Sequence, residues 1–269
     1  MDSEQTITVP KILAMKAKGE KIVALTAYDY IFASLLDRSG VEIILVGDSA
    51  AMVCAGRRST LPFTMTESLY HCRMARRGVR RALLVADMPF LSYHVNPDQA
   101  VYHAGLFFKR AEVDAIKIEG GQPIVATVRR IIDAGMPVMG HLGLTPQAIK
   151  KFGSYAVQAR DEQTASQLLT DALALQAAGA FAIVLEKIPG DVARNVTQQL
   201  RIPTIGIGAG PDCDGQILVS YDMLGLFDQF QPKFVRKYAD LAKLVQSACE
   251  QFAQDVRGGQ FPNKNESYD

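Results

Sequence analysis

The sequence predicts an α/β fold, a closed (β/α)8 barrel, from three observations. First, five apolar runs each stop at a polar or ionisable residue: VEIILVGDS at Asp48 and Ser49, ALLVAD at Asp87, AIKIE at Glu119, PVMGH at His141 and AIVLE at Glu186. Strands of a parallel sheet buried on both faces read as continuous Val/Ile/Leu runs of this kind, not as alternating ones. Second, such runs alternate with helical stretches along the chain, the pattern of parallel βα units. Third, no GxGxxG follows the first strand, and functional-looking residues end strands throughout the chain. Both points favour a sequential barrel over an open sheet with one switch point.

The elements follow in order. Thr8 caps a first helix, PKILAMKAKG, placed before any strand and suited to covering the bottom of the barrel. Lys21 to Ala27 reads as strand one, and Asp29 to Ser39 as a helix stopped by Gly40. Strand two is the VEIILVGDS stretch, followed by a connection from Ala50 to Thr64 and a helix from about Thr66 to Gly78. Strand three is Ala82 to Asp87; Asn96 and Pro97 then start a helix reaching about Ala111. Strand four is Ala115 to Glu119, followed by a helix that stops near Gly135. Strand five is Pro137 to His141, and a long connection, Leu142 to Asp161, leads to a helix ended by Gly179. Strand six is Ala182 to Glu186, a helix covers Asp191 to Leu200, and strand seven is Pro203 to Ile207, running into GIGAG. Gln216 to Val219 is a weak strand eight, and a last helix runs from Pro232 to about Val256. With no linker and no repeat beyond this alternation, residues 1–269 read as one barrel domain, with a mobile polar tail from about 257.

Composition removes several function classes. Net charge is +1, there is no tryptophan, and the densest basic patch is Arg76, Arg77, Arg80 and Arg81 at a helix end. That is too short for a nucleic-acid footprint. No apolar run approaches the ~18 residues of a membrane span. The polar, acidic start MDSEQTITVP has no basic n-region or apolar core, so no secretory signal is expected. Cys54, Cys72, Cys213 and Cys249 are widely spaced without a CxxC pair, which fits free thiols in the cytoplasm.

In a sequential barrel the ends of strands two, three and four are neighbours, so Asp48, Asp87 and Glu119 crowd one mouth. Three such carboxylates repel one another unless a positive partner joins them. An all-oxygen set favours a hard cation, Mg²⁺ foremost, which takes one or two carboxylates directly and keeps waters. Each acid taken alone also fits an ordinary strand-end carboxylate bonded to loop amides. Lys117 shares a face of its strand with Glu119 and needs an anion: these acids, or a substrate carboxylate. His141 fits a donor to a substrate oxygen and a structural histidine equally well. Glu186, across the mouth at the end of a wholly apolar run, reads as a general base with a raised pKa, or as a carboxylate that anchors a loop. His71, His94 and His103 carry no assigned role. GIGAG fits a phosphate cradle, the turn that leaves a barrel strand, or close approach of a flat ligand.

Seven strings in order, TAYDY, LVGDS, STLP, KIEGG, GHLGLTPQ, IGIGAG and DGQILV, closely resemble the ketopantoate hydroxymethyltransferase family over roughly Thr8 to Gly258. The resemblance implies a barrel of the phosphoenolpyruvate/pyruvate type. It further implies hydroxymethyl transfer from 5,10-methylenetetrahydrofolate to 3-methyl-2-oxobutanoate, with one Mg²⁺ per subunit, in a homo-oligomer that is commonly a decamer. Matched by motif, Asp48, Asp87 and Glu119 resemble the metal acids. Asp48, Ser49, Asp87 and Lys117 resemble the ketoacid-binding residues, and Glu186 of VLEKIP resembles the catalytic base. His141 joins them as an orienting or protonating group. The chain departs from the family pattern at Ser154 and Ala159, where glycines are usual, at Lys187 beside the base, and in FDQFQPKF. The competing reading is a Mg²⁺-dependent carbon–carbon lyase or mutase of the same barrel type; the KxCGH-like string of many such lyases is absent.

Overall fold

The structure, a computed structural model, describes residues 6–230 and 232–268. The first five residues of the polar N-terminal segment, Gln231 of FDQFQPKF and the last tail residue, Asp269, lie outside the described residues. The chain divides into two compact units, Met1–Val219 and Ser220–Asp269.

The first unit holds the barrel. Its elements are α1 (Val9–Lys18), β1 (Ile22–Thr26), α2 (Tyr30–Arg38), β2 (Ile43–Val46), α3 (Ala50–Val53), α4 (Met65–Gly78), β3 (Leu83–Asp87) and α5 (Pro97–Ala111). They continue with β4 (Ala115–Glu119), α6 (Val125–Asp133), β5 (Val138–Gly143), α7 (Ile149–Phe152), α8 (Glu162–Ala177), β6 (Ala182–Glu186), α9 (Gly190–Gln199), β7 (Thr204–Ile207) and β8 (Gly215–Leu218). All eight strands are parallel and close in sequence order, β8 pairing back to β1. The two long connections expected as loops each contain a short helix, α3 and α7. Strand five runs past His141 to Gly143, because its backbone pairs with β6 as far as Glu186.

Helix starts are set by side-chain caps. Thr8, Asp29, Asn96 and Asp161 each accept the backbone N–H three residues on. Thr64 and Glu67 form a reciprocal capping box at α4. Inside the barrel, alternation along each strand sorts the side chains into layers. Ile22 and Ala24, Ile43 and Leu45, Leu83 and Val85, and Ala182 and Val184 belong to one apolar cluster. Ile7, Ile12 and Met15 join that cluster from below, so α1 closes the bottom as expected. Lys16 on α1 donates to the Thr197 carbonyl at 2.9 Å and to Asp214 at 2.8 Å. The layer above, at the C-terminal ends of the strands, is polar.

In the second unit, α10 (Ser220–Met223) is followed by α11 (Leu241–Arg257). The last helix therefore starts later than the sequence pattern suggests. Val235 is buried in a turn accepted by the Pro232 carbonyl, and Tyr238 and Leu241 bond back to the carbonyls of Met223 and Leu224. These bonds occupy the amides that a helix from Pro232 would use. Beyond α11, Phe261 packs edge-on against Phe252, and Asn263 and Glu266 cap a short 3₁₀ turn. Among the described residues, no helix is long and apolar enough to cross a membrane.

The barrel's lower rim depends on Asp37, a buried carboxylate at the end of α2. It accepts the backbone N–H groups of Arg80, Arg81 and Ala82 at 3.0, 3.0 and 2.7 Å, fixing the approach to β3. Asp37→Ala strands these donors and is expected to cost about 3 kcal/mol. Urea unfolding checks this: the midpoint falls with the slope unchanged. An unmoved midpoint would remove Asp37 from this role.

Candidate active site

Asp48 and Ser49 lie just beyond β2, and Asp87, Glu119 and Glu186 end β3, β4 and β6. His141 lies within β5. Lys117, two residues before Glu119, points to the same interior face. The register then decides which groups meet. Asp87 stands opposite Lys117, and Glu119 opposite His141. Lys117 Nζ is 2.8 Å from Asp87 Oδ1 and 3.6 Å from Glu119 Oε1. His141 Nδ1 is 3.2 Å from Glu119 Oε1 and 3.3 Å from Lys117 Nζ. Its other nitrogen, Nε2, is 3.3 Å from Glu186 Oε2. His141 thus bridges the carboxylate trio and the glutamate across the mouth. The five residues Asp48, Asp87, Lys117, Glu119 and His141 are each 4% exposed or less.

Glu186 is fixed through its backbone: its carbonyl accepts the Leu144 N–H at 2.8 Å. Gly143 crosses directly above, with φ +89°, and a Cβ there would collide with that carbonyl oxygen. Glycine alone fits this crossing. Lys187 takes a left-handed conformation, and its ammonium reaches the Tyr155 carbonyl. Ala159, where the family resemblance expects glycine, is also left-handed with φ +54°, a strain of about 1 kcal/mol. At Ala159 the altered loop therefore keeps a glycine-like backbone. Ser49 Oγ is 2.8 Å from Tyr28 OH.

The electrostatics follow from burial. Asp48 is held well above the usual carboxylate range by burial, then by repulsion from Asp87 and Glu119. Burial also raises Asp87, with Lys117 opposing. Burial opposes ionisation of Glu119 too, yet Lys117 and His141 outweigh it and hold its carboxyl low. Burial and the Lys117 charge work against a proton on His141, but Glu119 and Glu186 prevail and raise its pKa to about 9.

One oxygen from each of Asp48, Asp87 and Glu119 lies within 4.8 Å of the others. Such an oxygen-only set fits a hard divalent cation, which would offset the burial and repulsion that oppose ionisation of Asp48 and Asp87. Asp87 Oδ1 and His141 Nε2 are buried, and their partners are the charged groups of Lys117 and Glu186. A cavity of about 760 Å³ adjoins the cluster, lined in part by Glu119, Gln147, Tyr93, Phe152 and Asp171. That is in the size range of small-molecule sites.

Two buried residues of the site escaped the sequence reading. Gln147 lies in the string GHLGLTPQ, which marks the family without giving the residue a role, and Tyr93 belongs to no motif. Tyr93 OH is 2.9 Å from Gln147 Oε1, and Gln147 Nε2 is 3.1 Å from Asp48 Oδ2. Of the other histidines, His71 and His103 bond the carbonyls of Tyr28 and Ser92, and His94 stacks on Tyr93 and lines the cavity.

A family model described as ketopantoate hydroxymethyltransferase matches residues 6–264. Two relatives named 3-methyl-2-oxobutanoate hydroxymethyltransferase span nearly the whole chain. That of Chlorobaculum tepidum is 55% identical over 97% of this chain and 96% of its own. That of Moorella thermoacetica is 51% identical over 100% of both. Among solved structures, a phosphonopyruvate hydrolase with oxalate and Mg²⁺ superposes with a TM-score of 0.62 at 15% identity, covering 96% of this chain and 93% of that one. A 2,3-dimethylmalate lyase of the PEP mutase/isocitrate lyase superfamily gives 0.60 at 15% identity, covering 97% and 91%. At such identity these two establish the barrel type alone.

The His141 geometry sets a pH dependence. A pKa raised from 6.5 to about 9 adds stability that is fully present below pH 6.5. That stability is lost as pH climbs through 9. In chelator-treated protein the unfolding free energy should fall by on the order of 3 kcal/mol across this window. His141→Gln should flatten the slope; an identical slope in the variant would contradict the assignment.

Proposed function

The chain belongs to the ketopantoate hydroxymethyltransferase family, and from that membership we propose that it moves a hydroxymethyl group from 5,10-methylenetetrahydrofolate to 3-methyl-2-oxobutanoate, giving ketopantoate for pantothenate synthesis. The observation that carries this reading is the convergence of Asp48, Asp87 and Glu119 beside Lys117, with His141 joining them to Glu186. In the overall change, the C3–H bond of the ketoacid and the one-carbon unit's bonds to folate nitrogen break. A carbon–carbon bond forms, and water supplies the hydroxyl oxygen.

Asp48, Asp87 and Glu119 would hold one Mg²⁺ per subunit. Once bound, that ion supplies Lewis-acid stabilisation for negative charge developing on a 2-oxo acid. Every other task falls to the chain. Lys117, kept protonated by its acidic neighbours, neutralises the substrate carboxylate. Asp48, Ser49 and Asp87 line the ketoacid position, and Tyr28 fixes the Ser49 hydroxyl. Glu186 removes the C3 proton, leaving an enolate whose carbon attacks the one-carbon unit. His141, between Glu119 and Glu186, orients the Glu186 carboxylate and offers a proton from Nε2. The cavity beside Glu119 gives room for a second, larger substrate.

Two further readings go with this one. The protein works in the cytoplasm, in keeping with four cysteines that form no disulfide. It assembles as a homo-oligomer, a decamer by family resemblance, which would cover Tyr30, Ile31, Leu35 and Tyr70, exposed on the neighbouring helices α2 and α4.

Transfer is tested by following ketopantoate formation from the two substrates with Mg²⁺; no product would sink the proposal. The base is tested separately by C3–H exchange into deuterated water. Glu186→Gln is expected to slow exchange ~10²–10⁴-fold while ketoacid binding persists. Wild-type exchange in that variant would reassign the base. Asp48→Ala and Asp87→Ala should each weaken Mg²⁺ binding in calorimetry, and unchanged affinity in both would take them out of the metal site.

A further inference from the structure

We infer that Gln147 is a positioning residue for the cation site, gripping two of its carboxylates from one place in the fold. The inference rests on the proposal that Asp48, Asp87 and Glu119 hold a divalent ion. Gln147 sits in the 3₁₀ turn Pro146–Ala148 that follows β5, and it is buried. Its side-chain nitrogen donates to Asp48 Oδ2 at 3.1 Å and to the Met88 carbonyl at 3.0 Å. Both amide hydrogens are thereby used. Its backbone N–H donates to Glu119 Oε2 at 3.0 Å. One residue therefore ties Asp48, beyond β2, to Glu119, at the end of β4.

The orientation of the amide is dictated by its partners. Turned over, it would aim its oxygen at a carboxylate and a carbonyl, two acceptors. As placed, its oxygen accepts from Tyr93 OH at 2.9 Å. Tyr93 is itself anchored: its hydroxyl oxygen accepts the Glu119 N–H at 3.1 Å. Burial, then the Glu119 charge, holds the phenol well above its ordinary pKa, so it stays a neutral donor.

The consequence is mechanical. Asp48 and Glu119 repel each other across a buried space, and without a tether each carboxylate would swing towards other donors. Gln147 occupies Asp48 Oδ2 and Glu119 Oε2 and so fixes both carboxylate planes. Asp48 Oδ1 and Glu119 Oε1 remain unclaimed by it. A neutral amide does this without adding charge; a glutamate there would be a fourth carboxylate. Outer partners that orient metal ligands typically govern affinity 10–100-fold.

The test reads binding without turnover. Metal-free protein is titrated with Mn²⁺ by electron paramagnetic resonance and with Mg²⁺ by calorimetry, for wild type, Gln147→Leu and Tyr93→Phe. Thermal unfolding of each is recorded without metal. Gln147→Leu is expected to raise both dissociation constants by about tenfold or more, and to change the Mn²⁺ line shape, while still unfolding cooperatively. Tyr93→Phe keeps the amide but frees its oxygen, and should weaken binding by a smaller factor. A folded Gln147→Leu whose affinities match wild type overturns the inference. If that variant does not fold, Tyr93→Phe decides alone, and unchanged affinity there overturns it. Wild type that binds no divalent ion overturns the metal-site reading and this inference together. Because no product is measured, failure of hydroxymethyl transfer would fall on the proposed function alone.

Discussion

Asp87 and Lys117 face each other across β3 and β4, and their 2.8 Å ion pair is the contact around which the mouth of the barrel is arranged. A lysine inside a barrel strand is costly to desolvate. Placed between Asp87 and Glu119 it is compensated, but the compensation is unequal. Three buried carboxylates share one lysine and one histidine. Burial, with this imbalance added, leaves carboxyl groups at Asp48 and Asp87 that resist ionisation, while Glu119 and Glu186 leave a histidine that holds its proton. Removing Lys117 would leave the three carboxylates with His141 as their nearest positive partner, which is more damaging than never having had the pair.

The barrel supplies what makes such a cluster tolerable. The lower interior is aliphatic and closed by Ile7, Ile12 and Met15, so the apolar layers carry folding while the upper layer is free to be electrostatically unfavourable. Parallel strands bring side chains that are far apart in sequence to one rim, and the register sets their pairing to within a residue. A slip of one residue would turn Lys117 and Glu119 out of the barrel together. The same register places His141 between Glu119 and Glu186. A proton on this imidazole therefore links the acids assigned to the metal with the group assigned to carbon acidity.

Much of this was legible in the sequence because buried parallel strands are written as unbroken apolar runs. The residue that interrupts such a run marks the mouth. Asp87, Glu119 and Glu186 were visible for that reason, and Lys117 stood out as a charge inside a run. His141 was visible as a residue but its place was not, since bridging two carboxylates depends on register and on a strand that continues to Gly143. Gln147 and Tyr93 lay hidden in loops, where neither periodicity nor charge distinguishes a buried hydrogen-bonding residue from a solvated one. The late start of α11 is not legible in the sequence because backbone bonds to Met223 and Leu224, not helix propensity, decide it.

The central claim is that Asp48, Asp87 and Glu119 are completed by a divalent cation. Anomalous diffraction from crystals grown with Mn²⁺ tests it most directly. One peak per chain at coordinating distance, about 2.2 Å, from carboxylate oxygens of at least two of the three is the predicted result. A fully occupied Mn²⁺ elsewhere in the chain, or no peak at the cluster at saturating metal, would contradict it.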